Sequence, residues 1–554
     1  FPEQLDRGAR PWAPRKLYRR AWRDPDRATL RVATGDYDPL LGRSPFQLAM
    51  EGRSQHRSQG FGTVQPPGPR YTRLLLLEDR TGSPPDAPLF AGVDTSLASV
   101  VDGLPPGARR EAVKRVDALT RAAAAARDSL RVLDAGAAVP PIRRALRAAR
   151  SVERLAASAG AEEVRSVFAR QAGLARRALL AASGISVRFR AEDDLWVPGS
   201  TVRVHAELWN GSGAGIRADA PDLALPAGWD ARLLPADSVR PSPAERSRFY
   251  GSPAALEGGP SRLDLPAGRL ARWTFRVRVP RDARPTEQYF LRRDTTGALY
   301  RWPDEPGLWG RPFSPPVVEG RLRVRLDPEE ADAEGVVANL RAEVRYRGVD
   351  EARGEFWRPV YVVPRLSVAT EPEVLVSPRR GGSGPGAAAV RESVTVTVRS
   401  QVEDTVRSEL ALRLPEGWSA TPRRARLRIA GRGSSETRSF VLRRTGGGGG
   451  DGADEGVAGS GESTRATYRV SAVARPVPAE AAGSGAERSW RRELSVIDYP
   501  HIDPVPLYGD AELRIERFPV DVDRGRRVGY VMGTGDAGPA AIRQLGLPVT
   551  MIGP

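Results

Sequence analysis

Two segments far apart in the chain carry the same short pattern, "LALPAGWDA" (Leu223–Ala231) and "LRLPEGWSA" (Leu412–Ala420). Each begins with leucines at alternate positions, which places them on one face of a β-strand. Each then meets Pro-x-Gly, a turn signal, and ends on a tryptophan. An alternating run follows each copy, "RWTFRVRV" after the first and "RSFVLRR" after the second. The pattern predicts a strand, a Pro/Gly turn, and Trp229 or Trp418 folded back as a large plug over one end of a core. A unit of this kind occurring twice predicts two tandem β-sandwiches of one family, immunoglobulin-like in layout.

The residues around the repeat agree. "ISVRFRAE", "TVRVHAELWN", "RLRVRLD", "SVTVTVRS" and "ARLRIA" all alternate, with Gly, Pro, Asn and Asp between them. Residues 185–363 are therefore expected as the first sandwich and 364–498 as the second. The stretch 445–464, "TGGGGGDGADEGVAGSGEST", has almost nothing to bury and reads as a disordered loop inserted in the second copy.

Upstream the period changes. Residues 101–184 hold three alanine-rich, helix-periodic runs separated by Gly and Pro, the pattern of a small three-helix unit. Val113, Val116, Leu119, Ala123, Leu130 and Leu133 form the expected inward stripe of its first helix. Residues 1–100 read as mixed α/β. Here "RKLYRRAW" and "YTRLLLLE" are strands, and between them Ser44 caps a helix with Pro45 at its first position and Gln47 completing a capping box. On that helix Phe46, Ala49, Met50, Arg53 and His56 follow three- and four-residue spacing and share one face, so His56 is expected to extend an apolar stripe, and Gly60 is the expected stop. Past a linker at 499–524, residues 525–554 read strand, glycine loop, helix, strand, the opening of a parallel α/β domain. The chain starts on Phe1 and closes on "VTMIGP" just after a strand-like run, so both ends read as cut.

Composition limits the chemistry. With 554 residues the chain is too long for one core, and about three to five domains are expected. The net charge of +17 suggests nucleic acid, but the only lysines are Lys16 and Lys114, and the arginines are dispersed without a basic block or an aromatic-rich basic module. Nucleic acid is not the expected partner. No cysteine is present, which excludes disulfides, thiol nucleophiles and Cys-based metal sites. No apolar run approaches membrane-spanning length.

Motifs that carry catalysis are incomplete. The three histidines, His56, His205 and His501, fall in three different expected regions, with no H-x-x-H or H-E-x-x-H spacing. His205 sits in an alternating strand, as a sheet-face histidine does, and His501 lies in a proline-flanked linker. Ser54 and Ser58 flank His56 without an orienting partner, and no G-x-S-x-G elbow exists. Asp193 and Asp194 offer a carboxylate pair or a solvated strand start. Gly533, Gly535 and Gly538 satisfy G-x-G-x-x-G, but the following strand supplies no acidic residue for a ribose, so a structural turn is expected.

"GDYDPLLGRSPFQLAMEGRSQHRSQGFG" (Gly35–Gly62) followed by "GPRYTRLLLLED" (Gly68–Asp79) resembles the distal part of the catalytic domain of long bacterial PIG-L/LmbE-like deacetylases. "FPEQLDRGARPWAPRKLY" resembles the segment before it. The resemblance implies a remnant of an α/β deacetylase domain over 1–100, a helical spacer, sandwiches of the type appended to glycosidases, and the start of an amidotransferase-like α/β domain. It implies a zinc-dependent hydrolase that de-N-acetylates N-acetylglucosamine-type amides, with an acetylated amino sugar or glycan as partner. The family's H-P-D-D-E and H-x-x-H metal motifs are not in this sequence, so the expectation is a fragment that is inactive by itself. Arg53, His56 and Arg57 are placed at the rim of the substrate pocket, touching substrate or orienting the metal-bound half; alternatively they only pack the helix. The other class of reading is a non-catalytic carbohydrate-binding or adhesion module on the two sandwiches. It needs exposed aromatics, whereas Trp209, Trp229, Trp273 and Trp418 sit where core tryptophans usually do.

Overall fold

The computed structural model describes residues 2–6, 13–56, 59–60, 62, 65–131, 133–235, 255–259, 261–326, 337–352, 354–377, 391–444, 466–477, 489–499, 502–518, 520, 522–523, 525–533 and 537–553. It is mainly β, with 40% strand against 23% helix, and divides into two compact units, 1–179 and 180–554. Among the described residues no helix is long and apolar enough to cross a membrane.

The first unit opens with three antiparallel strands, β1 (Lys16–Arg20), β2 (Leu30–Ala33) and β3 (Tyr71–Asp79), in the order β1-β3-β2. Helix α1 (Pro45–Arg53) carries the expected capping box: Gln47 N donates to Ser44 Oγ, and Ser44 N to Gln47 Oε1. The expected apolar face of α1 is not there. No residue of the helix is buried, and the helix stops at Arg53 rather than at Gly60. The Ser54 hydroxyl donates to Met50 O at 2.8 Å, the same carbonyl that accepts Ser54 N at 2.9 Å, so the side chain bonds back onto the last turn. Before Val101, Ala21 is the only buried hydrophobic side chain among the described residues, so this segment is almost without a core.

Three helices follow, α2 (Pro106–Ser129), α3 (Val139–Ser158) and α4 (Glu162–Ala182). Helix α2 buries Ala112, Val116, Leu119 and Ala122. Val116 and Leu119 are as expected, while Ala123 is exposed one position round the helix from the buried face. Leu130 and Leu133 are exposed because the helix ends first, with Leu130 already in an extended conformation (φ −66°, ψ 124°).

In the second unit the first sandwich runs from β4 (Ile185–Ala191) and β5 (Thr201–Asn210) through β6 (Asp222–Ala224), β7 (Asp230–Leu233), β8 (Arg269–Arg278) and β9 (Glu319–Arg325) to β10 (Val337–Asp350) and β11 (Gly354–Pro359). One sheet holds β8-β5-β4-β10, with β7 on β8 and β11 on β10; the other is built on β9, which pairs β6 and β10. Strand β10 belongs to both. Its first half, up to Glu343, pairs β9, and from Val344 onward it pairs β4 and β11. Close approach of the two sheets is marked by Gly320 on β9, where an added Cβ would lie 2.2 Å from the Phe189 ring on β4.

The second sandwich packs a four-stranded sheet on a five-stranded one. The strands are β12 (Leu366–Glu371), β13 (Val374–Val376), β14 (Arg391–Ser400), β15 (Val406–Arg413), β16 (Trp418–Thr421), β17 (Arg424–Ile429), β18 (Ser435–Arg444) and β19 (Ala466–Pro476). A hairpin, β20 (Arg492–Ile497) with β21 (Val505–Asp510), leads to β22 (Glu512–Arg517). The orders are β12-β14-β18-β16 and β13-β22-β19-β15-β17, and both sheets feed one core through Val396, Leu410, Trp418, Phe440, Ala472 and Ile515. The stretch 499–524 is thus not a linker. It contributes β21 and β22, and β22 sits inside the sheet because Leu513 and Ile515 alternate into the core. The glycine-rich stretch 445–464 lies outside the described residues.

Both copies of the repeat make the same turn. Trp229 N donates to Pro226 O at 3.2 Å and Trp418 N to Pro415 O at 3.3 Å, with Gly228 at φ 80° and Gly417 at φ 76°, a type II turn. Each turn carries the chain to a strand that pairs antiparallel with the alternating run that follows, β7 with β8 and β16 with β18. Trp418 is buried as a plug, whereas Trp229 is half-buried against the buried Trp196 at a 5.9 Å ring separation. Further on, β23 (Val528–Val531), α5 (Gly538–Gln544) and β24 (Val549–Ile552) form a parallel strand-helix-strand unit. Replacing Gly417 by alanine forces an L-residue into the left-handed region, and its expected cost is about 1–2 kcal/mol. Denaturant unfolding followed by tryptophan fluorescence checks this, and an unchanged midpoint contradicts the turn's role.

Candidate functional site

Arg53 is the last residue of α1, and His56 follows it beyond the helix; both are exposed. Arg57 and Ser58 lie outside the described residues. Arg53 and His56 are therefore not gathered on one helical face, since the helix ends at Arg53. Gly533 and Gly538 flank the start of α5, and Gly535 lies outside the described residues, as does His501.

His205 has both ring nitrogens engaged. Its Nδ1 lies 3.0 Å from Thr274 Oγ1 on β8, its cross-strand neighbour, and its Nε2 lies 3.1 Å from Glu192 Oε1. Because a carboxylate only accepts, Nε2 donates to Glu192, and in the neutral ring Nδ1 accepts the Thr274 hydroxyl proton. The order hydroxyl-imidazole-carboxylate is that of a nucleophilic triad. Thr274 is only 1% exposed and His205 4%, so no substrate reaches the oxygen, and the set is a buried polar network. Asp193 and Asp194 are likewise committed. Arg432 of the second sandwich donates to both oxygens of Asp193 at 2.7 and 2.8 Å and reaches Asp194 at 3.4 Å, and Arg358 lies 3.7 Å from Asp194. Burial and the neighbouring Asp193 push the Asp194 carboxyl up, against the pull of the two guanidiniums. This carboxylate pair clamps one sandwich to the other.

The surface best suited to a ligand lies in the long irregular segment between β8 and β9. Tyr289 pins it: the ring is buried, its hydroxyl donates to Arg311 O at 2.8 Å, and its backbone N–H donates to Ser314 Oγ at 2.8 Å. Arg293 ties Trp302 O and Asp304, and Trp309 Nε1 donates to Pro303 O at 2.8 Å. On this frame Tyr300, Trp302, Trp309 and Phe313 are all exposed, Trp302 by 43% and Trp309 by 48%. The two indoles lie 6.3 Å apart, Trp302 stands edge-on to Tyr289 at 6.1 Å, and Tyr300 stands edge-on to Phe290 at 5.5 Å. Large rings held rigidly in the open offer contact area at little entropic cost. Among the tryptophans weighed from sequence, Trp273 and Trp418 are buried and Trp229 half-buried, and Trp209 alone is exposed. Trp302 and Trp309 were legible only as aromatics in a stretch that is neither alternating nor helix-periodic.

Zinc, which the resemblance implies, does not fit the described residues. Among them no group of three or more His, Cys, Asp or Glu is placed to hold a metal ion, and both ring nitrogens of His205 are already engaged. No family model matches the chain, and no curated protein matches it. Among solved structures the chain is similar to the E. coli chaperone DraB at 14% identity, covering 30% of this chain and 65% of that one (TM-score 0.15). It is similar to WR4, an MSP family member of C. elegans, at 11% identity over 28% and 97% of the two chains (TM-score 0.13). A protein of unknown function from Porphyromonas gingivalis W83 matches at 9% identity over 60% and 98% (TM-score 0.16). Likenesses this low carry no argument about activity.

The hydrogen bond from His205, then the charges of His205, Arg203 and Arg190, hold Glu192 below the usual carboxylate range against the effect of burial. A depressed carboxylate contributes stability above its unfolded value of about 4.5 and loses it as pH falls through the lower folded value. The stability difference between the wild type and Glu192→Gln is expected to shrink on acidification below about pH 4.5. Parallel unfolding curves at pH 7, 5 and 3 check it; a difference that stays constant or grows contradicts the assignment.

Proposed function

We infer that the second unit is a carbohydrate-binding module, a non-catalytic part of a glycan-modifying protein. The observation that carries this reading is the set of exposed aromatic rings on one hydrogen-bonded segment, Tyr300, Trp302, Trp309 and Phe313. Sugar rings present apolar C–H faces that pack on indoles while their hydroxyls stay wet, and such a surface needs no preformed deep pocket. The full chain is expected to bind an N-acetylglucosamine trimer in calorimetric titration. The double change Trp302→Ala with Trp309→Ala weakens binding at least about tenfold, or ~1.4 kcal/mol. Each side chain is about half buried and Trp309 Nε1 donates to Pro303 O, so the unfolding midpoint is expected to fall somewhat, and the titrations are compared at a temperature where both proteins are folded. No heat with the wild type, or an unchanged affinity in the double variant, sinks this reading.

The activity served is proposed to be amide hydrolysis of acetylated amino sugars, zinc-dependent, on the resemblance of Gly35–Gly62 and Gly68–Asp79 alone. Arg53, His56 and Arg57 would then touch substrate near a centre for which the described residues offer no set of metal ligands. The chain by itself is expected to release no acetate from an N-acetylglucosamine oligomer in the presence of added zinc. Chelator-sensitive acetate release from the purified chain contradicts that.

A further inference from the structure

The aromatic segment does not end at solvent. Its C-terminal part, with Phe313 and Ser314, turns into a cavity of about 360 Å³ between the first sandwich and the hairpin β20–β21. That volume is at the low end of small-ligand sites. The walls are mostly apolar, including Pro315, Pro359 and Ile502, and the ionisable groups among them are Glu343, Tyr361 and Asp503. Arg345 sits between the two carboxylates, with Nη2 donating to Asp503 Oδ1 at 2.5 Å and Nη1 lying 3.5 Å from Glu343 Oε2. Two carboxylates against one guanidinium leave the site negative, in a chain that is otherwise strongly basic at +17. Burial pushes the Glu343 carboxyl up, with Asp503 adding to it and Arg345 opposing. Burial also pushes the Tyr361 hydroxyl up to about 12, with Asp503 and Glu343 adding to it. Glu343 and Tyr361 thus sit partly dry beside the exposed Asp503, with an excess of negative charge that a cationic ligand would relieve.

We propose that this cavity is a subsite for a protonated amino group carried on a sugar ring, so that the module prefers de-N-acetylated amino sugars to acetylated ones. The proposal rests on the glycan-binding reading above and specifies its ligand. An ammonium replaces lost hydration by charge-assisted hydrogen bonds to Glu343 and Asp503, while the ring's apolar edge meets the proline walls. An acetamide brings no charge to the carboxylates. The aromatic platform contributes equally to both sugars, because stacking does not read the substituent on nitrogen.

The experiment is calorimetric titration of the full chain at pH 6 with a glucosamine trimer and with an N-acetylglucosamine trimer. The wild type is expected to bind the glucosamine trimer at least about tenfold more tightly. The double change Glu343→Gln with Asp503→Asn brings the two affinities within about twofold, and the single change Glu343→Gln, which keeps the Arg345–Asp503 contact, narrows the preference in the same direction. The double change Trp302→Ala with Trp309→Ala weakens both trimers by the same factor and keeps their ratio. Equal affinities in the wild type, or a preference that survives the loss of both carboxylates, overturns the subsite while leaving the platform standing. If neither trimer binds, the glycan-binding reading fails and the subsite fails with it. Free lysine competing as well as the glucosamine trimer does also overturns it, by assigning the cavity to amines without a ring.

Discussion

The charge-paired seam between the two sandwiches is the constraint on which the proposed binding surface depends. Arg432 grips Asp193, Arg358 reaches both Asp194 and Asp498, Arg345 holds Asp503, and Arg492 donates to Glu287 at 2.6 Å. Arg358–Asp194 lies within the first sandwich; in each of the other pairs one partner belongs to the first sandwich and the other to the second sandwich or to its hairpin. Single exposed pairs contribute little, but bidentate arginines in a half-buried network fix orientation as well as adding energy. Tyr508 adds a neutral contact by donating to Val362 O at 3.2 Å. The hairpin is thereby held over the first sandwich, and the cavity lined by Glu343, Tyr361 and Asp503 exists only because it is.

Much of the architecture was legible because local chemistry dictates it. Pro-x-Gly-Trp admits few conformations, and both copies adopt the same turn. Ser44 with Gln47 specifies a helix start without help from the rest of the chain. The parallel strand-helix-strand at the C-terminal end follows from the change of period alone. What failed were inferences that needed tertiary context. The apolar spacing through Phe46, Met50 and His56 looked like a buried face, but a face is buried only where something covers it, and α1 buries no residue. Strand β22 was hidden because a linker-like "PLYGD" precedes it, although Leu513 and Ile515 already alternate.

The binding surface was the least legible part, for a physical reason. Periodicity reports burial against a regular neighbour, whereas an exposed platform on an irregular segment is held by single hydrogen bonds, such as Tyr289 to Arg311 and Trp309 to Pro303. These leave no repeating mark in the sequence. Residues that looked chemical in isolation are consumed by structure instead: His205 by Thr274 and Glu192, Asp193 and Asp194 by Arg432. The polar groups left facing a cavity, Glu343 and Asp503, come from a strand and a hairpin turn that sequence reasoning had no cause to bring together.

The most direct test is a crystal structure of the chain grown with a glucosamine-containing oligosaccharide. The account predicts a sugar ring in contact with Trp302 and Trp309, within about 4 Å, and a sugar nitrogen within roughly 3 Å of Glu343 or Asp503, with the Arg345–Asp503 contact in place. Saccharide seated anywhere else, or a hairpin swung away from the first sandwich so that the cavity is gone, contradicts it.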